Sequence, residues 1–182
     1  MASGRGILPA LTHLVLDFFS HYVVLLVVLV LNVILYFIVT AIAAWAANHA
    51  IERSHESASV SSLSAQVFPI DDPFGNMATG FVVIFSLIAG VVGFTTSTTT
   101  IYNVMRWNAS NLDAAATSSV ITWLLTLLAM GLACKEIDTG WTGSNLRTLE
   151  TILIVLIGTQ LYCTIAIYVR LSVVLIIGRD FI

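Results

Sequence analysis

Charged residues are scarce in this chain: only 9% of its residues are Asp, Glu, Lys or Arg, whereas 58% are hydrophobic. The mean hydropathy is +0.99. A water-soluble domain of this size has too little interior to hide so many apolar side chains from water. The 7 basic and 10 acidic residues give a net charge of -3 and form no basic cluster. The charge pattern therefore predicts no nucleic-acid partner.

Cysteine is also rare, and the two cysteines, Cys134 and Cys163, form no CxxC motif. Their spacing is not that of a metal site. In the helix assignment below, Cys134 lies at one membrane face and Cys163 lies near mid-membrane. A disulfide needs Cα atoms within about 7 Å of each other. We therefore expect two free thiols.

Catalytic and metal-binding motifs are missing as well: the chain has no nucleophile–base set, phosphate loop or zinc pattern. Membrane enzymes need several converging ionisable groups, and the predicted membrane segments carry no acid, base or histidine. His13, Asp17 and His21 recur every four residues, a spacing that could hold a metal or sense pH. These three residues on one helix lack the fourth ligand that completes a metal site. The simpler interpretation is that they form the water-facing side of an interfacial helix. We expect no enzyme, no metal and no cofactor.

Long apolar runs dominate what is present. Each of them carries no charge, and they cover residues 22–47, 77–100, 114–134 and 151–169. A helix needs about 20 apolar residues to cross about 30 Å of hydrocarbon, and lipid leaves no partner for unpaired backbone groups. The runs do not alternate in polarity as barrel strands do. The sequence predicts an all-α integral membrane protein, a four-transmembrane-helix bundle forming a single membrane domain over residues 1–182.

The regions outside these runs differ in character. Residues 1–21 read as an interfacial helix or a disordered segment, or equally as an extension of the first span. Residues 48–76 read as a long polar loop, with turns fixed by proline and glycine. The other connections are short, which makes consecutive helices antiparallel neighbours. Asp113 is expected near the N-cap of the third helix.

The orientation of the chain follows from its cations. With four spans, the side of the termini holds one more arginine or lysine than the other side, and positively charged loops favour the cytoplasm. The termini are therefore expected in the cytoplasm, where the sequon at Asn108 would stay unmodified. The cations on the side of the termini are Arg5, Arg106, Arg170 and Arg179, and those on the other side are Arg53, Lys135 and Arg147.

Polar residues in two places are candidates for substrate contact. Asn32 and Gln160 lie near the middles of the first and fourth spans, where interhelical hydrogen bonding is the favoured interpretation and substrate contact the alternative. Five charged residues lie at one end of the third and fourth spans, and they are Lys135, Glu136, Asp138, Arg147 and Glu150. They form either an ion-pair network in water or a charged vestibule that receives an anionic small molecule.

The second span carries small residues at helical spacing. Ser86 with Gly90 and Ala89 with Gly93 are pairs of small residues four apart, which let helices approach closely in lipid. We expect a helix-packing face, against either a helix of this chain or another subunit. The run TTSTTT at 95–100 either bonds back to its own helix or lines a polar pathway.

Several strings resemble those of one plant family. They are AAWAANHAI at 43–51, GNMATGFVVIFSLIAGVVG at 75–93, LLAMGLACKEI at 127–137, LRTLE at 146–150 and TQL at 159–161. Taken in order, they resemble the abscisic-acid-induced wheat plasma membrane polypeptide (AWPM-19-like) family from about residue 31 to residue 167. The resemblance implies a small four-helix protein of the plant plasma membrane, linked to abscisic acid and osmotic stress. It brings no catalytic motif.

Two functions remain open at this point. The first is facilitated uptake of abscisic acid or a similar small amphipathic acid, for which four helices form a thin wall and a homo-oligomer is expected. The second is a non-transporting accessory or scaffold subunit of a larger plasma membrane complex. A sensor of osmotic or mechanical stress is a third interpretation, and no residue separates it from the scaffold.

Overall fold

The computed structural model describes the backbone of residues 7–60, 77–106, 109–138 and 144–179. It describes side chains within residues 19–49, 51–52, 80–106, 109–135 and 147–176. Over these ranges the chain is helical, apart from a turn at Arg106, and contains no strand. The helices are α1 (Ile7–Val60), α2 (Met77–Met105), α3 (Ala109–Asp138) and α4 (Ser144–Arg179). The predicted all-α class is confirmed.

Each of these helices contains a segment long and apolar enough to cross a membrane. Among the described residues the segments are Phe19–His49, Gly80–Met105, Ala109–Lys135 and Arg147–Ile176. Their outer surfaces are covered by large apolar side chains such as Phe37, Ile88, Leu124 and Ile165. Exposed apolar surface on this scale is stable in hydrocarbon and not in water. The prediction of a four-span bundle is confirmed.

The helices form an antiparallel ring. Consecutive helices pack against each other, and α4 closes the ring by packing against α1. Only residues 106–108 separate α2 from α3, and such a short connection forces the two helices to run in opposite directions.

Helix boundaries differ from the predicted ones. Residues 48–60 continue α1, so the start of the predicted polar loop at 48–76 is wrong, and the interfacial segment predicted within 1–21 is continuous with α1 from Ile7 onward. Asp113 lies inside α3 and is not at its N-cap. The length of an apolar run reflects only the part of a helix that lies in hydrocarbon. The backbone hydrogen bonds of the helix can continue beyond that part into water, so the helix is longer than the apolar run. The rest of the predicted loop, residues 61–76, lies outside the described residues.

The interior of the bundle contains two apolar clusters. The proximal cluster packs near the start of the first span and includes Leu25, Leu29, Val104, Leu112 and Ile167. The distal cluster packs toward the other end and includes Val39, Val82, Ala133, Leu149 and Leu153. Cys163 is a buried member of the proximal cluster and Cys134 is exposed. Both cysteines are free thiols, as predicted.

Candidate functional site

A layer of polar side chains lies between the two apolar clusters. Its members are buried and come from each of the described helices: Asn32, Ser97, Thr100, Ser119, Thr122, Gln160 and Thr164. We call this set the polar layer. Polar groups inside a membrane bundle are costly unless they are hydrogen-bonded, so their partners decide what the layer can do.

Asn32 and Gln160 meet at the centre of the layer. The amide Nδ2 of Asn32 donates to Oε1 of Gln160 at 3.0 Å, and a longer contact of 3.7 Å reaches Sγ of Cys163. The Nε2 of Gln160 in turn donates to Oγ of Ser119 at 3.0 Å. These bonds join α1, α4 and α3, as expected for interhelical hydrogen bonding by amides in lipid.

The hydrogen-bond chain continues with a defined direction. The hydroxyl of Thr164 donates to the carbonyl oxygen of Gln160 at 2.8 Å. Its proton is therefore used, and Ser119 is the donor in the 2.9 Å bond between the Ser119 and Thr164 hydroxyls. Every donor in this chain points away from Asn32. The hydrogen bonds in such a chain polarise one another, and this polarisation strengthens each of them.

A second hydrogen bond crosses the bundle beside the layer. The hydroxyl of Thr126 donates to the carbonyl of Thr122 at 2.8 Å. Tyr36 must therefore be the donor in its 2.9 Å bond to Thr126. The ring of Tyr36 occupies the space where a Cβ at Gly93 would lie. Gly93 thus lets one tyrosine pass α2 and reach α3.

Not every buried polar atom of the bundle has a hydrogen-bond partner. Among the described residues, Oδ1 of Asn32 and Oγ of Ser97 are buried and make no hydrogen bond. Ser86 and Trp123 also carry one unpartnered polar atom each. Buried polar atoms in native proteins are nearly always bonded, so each exception calls for a reason such as a bound solute or water.

Ser97 and Asn32 lie at the same depth. The close approaches of Gly93 to Tyr36 and of Gly90 to Thr40 fix the antiparallel register of α2 on α1. Moving one turn along α2 from Gly93 gives Ser97, and moving one turn back along α1 from Tyr36 gives Asn32. The two unpartnered atoms therefore belong to one level of the bundle.

The small residues of α2 face inward. Ser86, Ala89, Gly90 and Gly93 are all buried. A Cβ on Gly90 would lie 2.5 Å from Oγ1 of Thr40 and 3.1 Å from its backbone nitrogen, so Thr40 would have to shift to make room for it. The structure places this face against α1 of the same chain.

The TTSTTT run divides into two faces. Thr95, Thr98 and Thr99 are exposed, and each hydroxyl donates to a carbonyl of its own helix. Ser97 and Thr100 are buried in the polar layer. On the lipid-facing side of the run, the hydroxyls are therefore hydrogen-bonded within α2. The opposite side supplies polar groups to the interior of the bundle.

The charged candidates are not brought together with the amides. Lys135 and Arg147 are exposed, and Glu150 is half-buried near the start of α4. Gln160 follows Glu150 by nearly three turns, or about 15 Å along the helix axis. The side chains of Glu136 and Asp138, as well as those of His13 and Asp17, lie outside the described residues.

The sequence placed Arg170 at the membrane face on the side of the termini, and this placement is wrong. Arg170 lies within the fourth span, is only 8% exposed and stacks its guanidinium over the ring of Tyr22 at 4.6 Å from the centroid. This cation–π contact offsets part of the desolvation of the arginine. The sequence carried a weak signal, since an arginine followed by LSVVLII lies inside an apolar stretch.

The α3 members of the layer were also missed. Ser119 and Thr122, together with Thr126 beside the layer, are buried and recur with the helical period. A sequence reader could have found this stripe, because small and polar residues continue the same face from Ala115 to Ala133. The many leucines in the third span make this polar stripe hard to recognise in the sequence.

Comparison with known proteins identifies the family. A family model described as the AWPM-19-like family matches residues 30–170. The chain is 40% identical over 134 residues to "Membrane protein PM19L" of Oryza sativa subsp. japonica. The aligned region covers 73% of this chain and 70% of the rice protein. No solved structure gives a significant match. The resemblance seen in the sequence is confirmed, and the chain belongs to the AWPM-19-like family, which implies a plant membrane protein.

Proposed function

We propose that this protein is a plasma membrane facilitator that lets abscisic acid, or a similar small amphipathic acid, cross the bilayer without catalysis. The observation that supports it is the polar layer, in which Asn32 Oδ1 and Ser97 Oγ are buried without partners. A bundle needs no such atoms for stability, because apolar side chains would pack there at lower cost. The choice of abscisic acid as the candidate solute rests on the family resemblance noted in the sequence.

The charged residues fit this proposal as entry points. Lys135 and Arg147 are exposed at one end of the bundle, where a cation can attract an acid that is ionised in water. We place the termini in the cytoplasm and this end outside as part of the proposal. With Arg170 inside the fourth span, three cations remain on each side of the membrane, so their balance no longer favours either orientation. Glycosylation of Asn108 in a eukaryotic host would reverse that orientation.

The alternative is an accessory or scaffold subunit, and a specific observation favours it. The bonds from Asn32 to Gln160 and from Gln160 to Ser119 hold three helices together without any ligand. In this view the same amides serve only as interhelical links, as amides in lipid commonly do. The outer apolar surface would then contact a larger protein.

Reconstitution in liposomes separates the two functions. Purified protein should give saturable uptake of radiolabelled abscisic acid that vesicles without protein lack. The double substitution Asn32→Leu with Gln160→Met keeps the side-chain volumes and removes both amides, and such paired replacements are often nearly neutral for stability. We expect this variant to fold and to lose saturable uptake. Thr99→Val, which changes a lipid-facing hydroxyl, is the matched control and should transport normally.

Two results would contradict the facilitator. One is the absence of saturable uptake by the folded wild-type protein. The other is unchanged uptake by the double variant. Recovery of one unrelated protein in stoichiometric amount in mild detergent, with no uptake by the purified chain, would establish the accessory role.

A further inference from the structure

The polar layer contains two buried atoms without hydrogen-bond partners, one on α1 and one on α2. The Nδ2 of Asn32 is already engaged with Gln160, so the free atom of this side chain is Oδ1, which can only accept a hydrogen bond. The free atom of Ser97 is a hydroxyl, which can donate. At one level of the bundle, an acceptor and a donor therefore lack partners.

A protonated carboxyl group complements this pair. Its O–H donates to an acceptor while its carbonyl oxygen accepts from a donor. A carboxylate has only acceptors, and its oxygen beside Oδ1 of Asn32 would place two acceptors in contact. An incoming O–H would also extend the existing donor chain, because every bond from Asn32 through Gln160 and Ser119 runs in the same direction.

The charge around the layer leads to the same conclusion. Among the described side chains, the titratable groups that face the layer are Tyr36 from α1 and Cys163 from α4, and α2 and α3 contribute none. Both groups are neutral in their usual forms at pH 7. A carboxylate buried beside neutral groups has a large desolvation penalty with no cation to offset it.

Resting on the proposed function, we infer that Asn32 and Ser97 bind the carboxyl group of the transported acid in its undissociated form. The acid is attracted to the exposed cations as an anion and takes up a proton from the external solution. It crosses the polar layer as the neutral carboxylic acid and releases the proton to the solution on the other side. Protein-mediated uptake then follows the concentration of the neutral acid outside the vesicle.

The first test is uptake by liposomes as a function of external pH, after subtraction of uptake by protein-free vesicles. We expect the saturable component to fall by about tenfold for each pH unit above the pKa of the acid, because the neutral fraction falls in that proportion. The primary amide of the same acid, which does not titrate in this range, should inhibit with equal potency at every pH.

The second test uses a substitution that removes no internal bond. Ser97→Ala takes away a hydroxyl without a partner, so the variant should be as stable as the wild type, or slightly more stable. We expect its half-saturation concentration to rise about two- to tenfold, which corresponds to one lost hydrogen bond. Ser86→Ala removes the other unpartnered serine of α2, three turns away, and is the matched control with unchanged uptake.

The outcomes distinguish this inference from the function on which it rests. Saturable uptake that is constant or rises with pH, or that the amide does not inhibit, would show transport of the anion and overturn the inference while the facilitator stands. An unchanged half-saturation concentration in Ser97→Ala would overturn the assignment of Ser97. No saturable uptake at any pH would remove the facilitator itself.

Discussion

The two apolar clusters and the polar layer between them use different physics in the same bundle. In the clusters, side chains such as Leu29 and Leu153 fill the interior by shape alone. In the layer, pairs such as Asn32 and Gln160 hold fixed partners across helices. Lipid is as apolar as leucine, so burying leucine gives little drive for helix association, and close packing and hydrogen bonds must supply it. The layer therefore joins the helices through specific hydrogen bonds, whereas the clusters hold them by close packing.

The largest predicted effect tests the packing side of that comparison. Gly93→Ala places a methyl group in the ring of Tyr36, and the ring cannot move without breaking its bond to Thr126. We expect a loss of about 1–3 kcal/mol in the free energy of unfolding, measured by titration with a denaturing detergent. Gly158→Ala is the control, because a Cβ there meets nothing within 4 Å. It should be neutral or add about 0.5–1 kcal/mol. Equal effects at both glycines would show that α2 does not approach α1 closely.

An intermediate effect is predicted for the amide pair. Gln160→Met leaves the Asn32 amide without its main acceptor and Ser119 without a donor. We expect this single substitution to lower the unfolding free energy by about 1–2 kcal/mol. Combined with Asn32→Leu, the total should be clearly less than the sum of the two single effects. Strict additivity in this double-mutant cycle would mean that the two amides do not interact.

The smallest effects compare two threonines with different surroundings. Thr126→Val removes the acceptor of the Tyr36 hydroxyl in the interior and should lower stability by about 1 kcal/mol. Thr99→Val removes a hydroxyl that faces lipid and bonds only to its own helix, and its effect should stay within about 0.5 kcal/mol. Detergent unfolding curves of the two variants, measured under the same conditions, give the two changes in unfolding free energy. A larger loss at Thr99 would place that face of α2 against another protein chain.

Part of the candidate site was visible in the sequence. Asn32 and Gln160 stand out because amides in the middle of apolar runs need partners, and the structure brings these two together. Ser97 did not stand out from its neighbouring threonines, because only packing reveals which hydroxyls of the run face inward. Arg170 was assigned to a membrane face, yet the contact with Tyr22 holds it inside the bundle.

The sequence by itself determined that the chain spans a membrane with four helices and belongs to its family. These conclusions follow from the length of charge-free runs and from residue strings, which are local properties of the chain. Only the tertiary structure decided which polar groups meet and that the ring of Tyr36 packs against Gly93. It also decided that Asn32 and Ser97 each have an atom without a hydrogen-bond partner at the same level of the bundle. The reason is that hydrogen-bond partners more than a hundred residues apart are fixed by the register of packed helices, and no local pattern records that register.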